Sequence, residues 1–60
     1  MTPGFVAAVL EGFEGTLDAV LEQLGDGELQ RDVQALREHI AQQRRKFEEQ
    51  EVRELAPSAS

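Results

Sequence analysis

Leu17-Asp18-Ala19-Val20-Leu21-Glu22-Gln23-Leu24-Gly25-Asp26-Gly27-Glu28-Leu29-Gln30-Arg31-Asp32-Val33 is the stretch that decides the fold. Apolar residues recur at helical spacing up to Leu24, stop for Gly25-Asp26-Gly27, and resume at Leu29. Toward the N-terminus the pattern extends through Val6, Leu10, Phe13, Leu17, Val20 and Leu24, at gaps of 4, 3, 4, 3 and 4. Toward the C-terminus Leu29, Val33, Leu36 and Ile40 follow at 4, 3 and 4, with Phe47 seven residues beyond. That spacing keeps side chains on one side of an α-helix. Three residues between two such stripes allow only a sharp reversal. The predicted fold is therefore all-α: a helical hairpin of two antiparallel helices.

Local signals set the boundaries. Thr2 can cap the free N–H groups of a helix, and Pro3 is tolerated at the first helical position. The first helix is predicted over 3–24, the turn over 25–27 and the second helix over 27–54. Gly25 suits a left-handed helix end, and Asp26 suits the cap of the next helix. Residues 1–55 thus form the hairpin. Pro57 forbids further helix, so 56–60 reads as a flexible tail.

Laid antiparallel from the turn, Leu24 meets Leu29, Val20 meets Val33, Leu17 meets Leu36 and Phe13 meets Ile40. Glu14 then shares a flank with Arg37, which allows a cross-helix ion pair. Past Ile40 the stripe weakens, because Gln43 and Gln50 occupy inward positions. The second helix is expected to outrun the first from about Phe47 to Leu55.

Sixty residues without a cysteine make a marginal core and exclude disulfides and thiolate metal sites. His39 is the single histidine, so no histidine cluster exists to bind a metal. The remedy left for so small a chain is association. The expected assembly is a four-helix bundle, most simply a homodimer. No secretory signal and no apolar run long enough for a membrane span is visible, so a cytoplasmic protein is the default expectation.

The net charge of −6 argues against general nucleic-acid binding, which draws on neutralised phosphates. The charges are also unevenly placed. Residues 1–27 carry no Lys or Arg, and all six basic residues lie between Arg31 and Arg53. This split favours packing one helix on the other and disfavours two first helices side by side.

Small residues make a second line on the first helix: Ala8, Gly12, Gly15 and Ala19, at gaps of 4, 3 and 4. Two mid-helix glycines cost about 2 kcal/mol relative to alanine, a loss that close approach of another helix would offset. Phe5, Val9 and Leu21 widen the apolar face beyond one partner helix. The residues expected to carry assembly are Phe5, Val9, Gly12, Phe13, Gly15, Leu17, Leu21, Ile40 and Phe47.

The function expected from this pattern is protein–protein interaction. The chain reads as an oligomerisation module or adaptor-type regulator that presents a helical surface, with itself as first partner. A second reading is an accessory or docking subunit that folds on a larger protein. A third takes Arg37 and Arg44-Arg45-Lys46 as a patch for RNA or DNA, although Glu48, Glu49, Glu51 and Glu54 follow it and favour local ion pairs. No residue constellation suggests catalysis, and no cofactor or metal is expected.

Overall fold

The computed structural model describes residues 1–55, so the tail expected over 56–60 lies outside the described residues. Two helices, α1 (Pro3–Gln23) and α2 (Glu28–Leu55), pack against each other as a hairpin. At 1.5 Å per residue α1 is about 32 Å long and α2 about 42 Å. The start of α1 follows the local signals. Thr2 is extended, and its hydroxyl accepts the Phe5 N–H at 3.1 Å. Pro3 fills the first turn, where its missing donor costs nothing.

The turn differs in detail from the sequence reading. α1 ends at Gln23, and Leu24 closes it in an extended conformation (φ −90°, ψ 139°). The Leu24 N–H is shared between the carbonyls of Val20 and Leu21, at 3.2 and 3.3 Å. Gly25 is therefore not a left-handed helix end, and no described glycine has positive φ. The carbonyl of Gly27 accepts the Arg31 N–H at 3.2 Å, so Gly27 rather than Asp26 stands at the cap of α2. Glu28 in the first turn and Arg53 in the last complement the dipole of α2.

The face that α1 turns to α2 is the principal correction. Its inward residues are Ala7, Leu10, Glu14, Leu17 and Leu21; Phe13 is 53% exposed and Val20 is also exposed. Relative to the expected stripe, α1 is rotated by roughly 50°, half of one residue's 100° step. Leu29 and Leu36 likewise lie open on α2, while Arg37, Ile40, Ala41, Arg44 and Phe47 turn inward. Two features select this rotation. Ala7 and Ala41, 5% and 4% exposed, are small enough to let the helices approach closely. Glu14, 6% exposed, meets the Arg44 guanidinium across the seam.

The register moves as well. Glu14 pairs with Arg44 instead of Arg37, and Arg37 pairs with Asp18 through bonds of 2.7 and 3.2 Å. At the open end, a Cβ added to Gly4 would overlap the carboxylate of Glu51. Helix α2 thus runs alongside α1 to its first turn, and the overhang expected from Phe47 shrinks to the last turn. Phe47 is half-buried, whereas Val52 and Leu55 are exposed.

The Glu14–Arg44 contact is testable by charge exchange. Glu14→Arg sets like charges face to face at the middle of the seam. It should lower the melting temperature, followed by circular dichroism, by more than about 5 °C. Adding Arg44→Glu should recover most of the loss. Adding Arg37→Glu instead should not, because it removes the partner of Asp18.

Candidate functional site

An antiparallel hairpin has two broad sides. On both helices, the residues that immediately precede seam positions fall on the same side. Here those residues are Val6, Phe13 and Val20 before Ala7, Glu14 and Leu21, and Leu29 and Leu36 before Gln30 and Arg37. All are apolar. Val9 lies beyond them on α1 and is 42% exposed. Thr16 interrupts the row, but its hydroxyl donates to the Gly12 carbonyl at 3.1 Å and is satisfied within α1. This side of the hairpin is apolar along α1 and the turn half of α2, and carries Gln43 and Gln50, which precede Arg44 and Glu51, toward the open end.

The other broad side is charged. Arg44 spans Glu14 on α1 and, at 2.8 Å, Glu48 one turn along α2. Arg37 forks onto Asp18. Hydrogen bonding to Glu14 and Glu48 raises the pKa of Arg44, and hydrogen bonding to Asp18, helped by its charge, raises that of Arg37. Both guanidiniums therefore stay charged and already engaged.

The residues expected to carry assembly divide between these regions. Phe13, Val9 and Phe5 are exposed on α1, with Phe5 at the far edge of the apolar side. Leu17, Ile40 and Phe47 are half-buried between the seam and that side, so each is only partly covered by the hairpin. Leu21 belongs to the seam itself. Gly12 and Gly15 lie on the outer surface of α1, and a Cβ at either would meet nothing within 4 Å. Their smallness is not required by α2.

Sequence reasoning placed Val20, Leu29 and Leu36 in the seam and missed their role in the open surface. The available signal was the competing row Ala7-Glu14-Leu21 against Gln30-Arg37-Arg44-Glu51, which has the same spacing and opposite charges. Within the basic patch Arg44 takes part in the local ion pairing that the acidic neighbours favour. Arg37 and Arg44 are held in ion pairs, and Arg45 and Lys46 remain exposed beside acidic neighbours.

Among the described residues no helix is long and apolar enough to cross a membrane. Comparison with protein-family models, curated proteins and solved structures finds no match.

Two exposed apolar residues distinguish the sides. Phe13 belongs to the apolar side, while Val52, 65% exposed, follows Glu51 on the charged side. Phe13→Asp should lower the melting temperature at high protein concentration and flatten its dependence on concentration. Val52→Asp should change stability by no more than about 0.5 kcal/mol.

Proposed function

We propose that this chain is a protein–protein interaction module that works through the apolar broad side of its hairpin, with another copy of itself as first partner. The observation that carries the reading is the lack of an interior. The buried residues are Ala7, Ala41 and Glu14, and no large side chain is fully buried among the described residues. Burying a Leu or Phe contributes about 1.5–3 kcal/mol, and this hairpin leaves much of that gain unrealised at Phe13, Leu29 and Leu36. Four-helix association would collect it by turning half-covered residues such as Leu17, Ile40 and Phe47 into a core.

The charged side supports the same division of labour. Arg37 and Arg44 are satisfied within the hairpin, so this side keeps the assembly soluble and leaves recognition to shape and apolar contact. The same surface also fits the second reading, a subunit that folds on a larger protein. Mass and folding of the isolated chain separate the two.

Sedimentation equilibrium of the pure protein should give a mass above the 6.7 kDa of one chain, with helicity falling as dilution dissociates it. A poorly helical monomer at every concentration would favour the docking-subunit reading. A fully helical, stable monomer would remove the basis of both.

A further inference from the structure

We propose that the second copy lies face to face on the apolar side with its turn over the open end of the first, about a two-fold axis at the level of Phe13 and Gln43. The proposal rests on the self-association reading above and specifies its geometry. In antiparallel helices level residues keep a constant sum of numbers, and the Glu14–Arg44, Asp18–Arg37 and Gly4–Glu51 contacts together put Phe13 and Gln43 level to within about 3 Å along the axis. Residue 13 is the midpoint of α1, and Gln43 is close to that of α2. An axis there overlaps the two hairpins along their full length.

The layers produced by this axis are complementary on α1. Phe13 meets Phe13 of the second copy, Val6 meets its Val20, and Leu10 meets its Leu17. Every one of these contacts is apolar. On α2 Ile40 meets Phe47 of the second copy, while Leu36 falls opposite its Gln50. Gln43 meets Gln43 there, and two amides can exchange hydrogen bonds without leaving a donor unpaired.

Charge at the rim fits the same axis. The outer row of α2 beside the apolar side reads Asp32, His39, Lys46, Arg53 from turn to open end. Against a reversed copy, Asp32 faces Arg53 of that copy, and the symmetry makes this pair twice. His39 faces Lys46, a pairing without attraction. The acids of α1 do not oppose a second α1. Glu14 and Asp18 are turned to the charged side and bonded to Arg44 and Arg37. The repulsion expected from the net charge of the first helix is therefore absent from this surface.

The alternative two-fold arrangement places the two turns together and sets α1 on α2 of the copy. Phe13 then meets Gln43 and Val6 meets Gln50, so symmetry sets four amides against apolar side chains, where the first arrangement has only the two Leu36–Gln50 contacts. Arg53 would lie near Thr2, where α1 has no acid. The available area suits one copy. Two adjacent helices, each about 10 Å across, over the 21-residue length of α1 offer roughly 600 Å² a side, and roughly 1,200 Å² in total is the lower bound for a specific interface.

The absence of native cysteine makes the axis directly testable. Gln43→Cys should oxidise to a disulfide-linked dimer, since the two thiols would meet at the axis. Leu36→Cys should not, because the same two positions would lie about 20 Å apart along the bundle. Circular dichroism establishes that both variants remain helical. As a second measurement, Asp32→Arg should weaken dimerisation about fivefold, and Asp32→Arg with Arg53→Asp should recover it. A sedimenting dimer in which Gln43→Cys fails to link, or links no better than Leu36→Cys, overturns this arrangement and leaves self-association standing. A chain that sediments as a monomer at all concentrations overturns both.

Discussion

The carboxylate of Glu14 is held almost out of solvent against the guanidinium of Arg44, which also reaches Glu48. This contact fixes how each helix is rotated about its own axis. A charged group placed in the seam must keep its partner there, because separating them would leave a charge desolvated and unpaired. Once Glu14 and Arg44 are inward, Phe13 and Val20 are carried outward on α1 and Leu36 on α2. The polar contact between the helices thus produces the apolar surface outside them. Such pairs add little net stability, but they specify register. Asp18–Arg37 reinforces the same register one layer nearer the turn.

Close approach is the second constraint, and it works with the first. Among the described residues Ala7 and Ala41 are the only buried hydrophobic ones. Small side chains at these points bring the backbones together but contribute little apolar area. The hairpin is consequently well specified in geometry and poorly supplied with core. A structure in that condition gains most by adding a layer, which is why an assembly reading follows from the packing rather than from any catalytic or ligand-binding feature. The glycines Gly12 and Gly15 remain on the outer surface of α1 without neighbours. The hairpin by itself gives no packing reason for them.

Much of the architecture was legible in the residue pattern. Helical spacing on both sides of Gly25-Asp26-Gly27 identified two helices and a reversal, and Thr2-Pro3 marked where the first begins. The candidate surface was legible only in part. Phe5 and Val9 could be named as lying outside the seam, whereas Phe13, Val20, Leu29 and Leu36 were assigned inward and are exposed. The two rows on α1, Val6-Phe13-Val20 and Ala7-Glu14-Leu21, have the same spacing and differ by one position. Hydrophobicity alone prefers the first, and nothing local decides between them.

The sequence by itself determined that the chain is helical, where it turns, and that it holds more apolar residues than two helices can hide from water. Those properties depend on neighbours three or four positions apart, on capping groups and on composition. Only the tertiary structure decided which apolar row faces the partner helix and which faces out. That choice depends on residues thirty positions apart, Glu14 and Arg44, meeting between backbones that Ala7 and Ala41 allow to lie close. Pairing across such a distance is a property of the packed helices, since neither helix carries both halves of the contact.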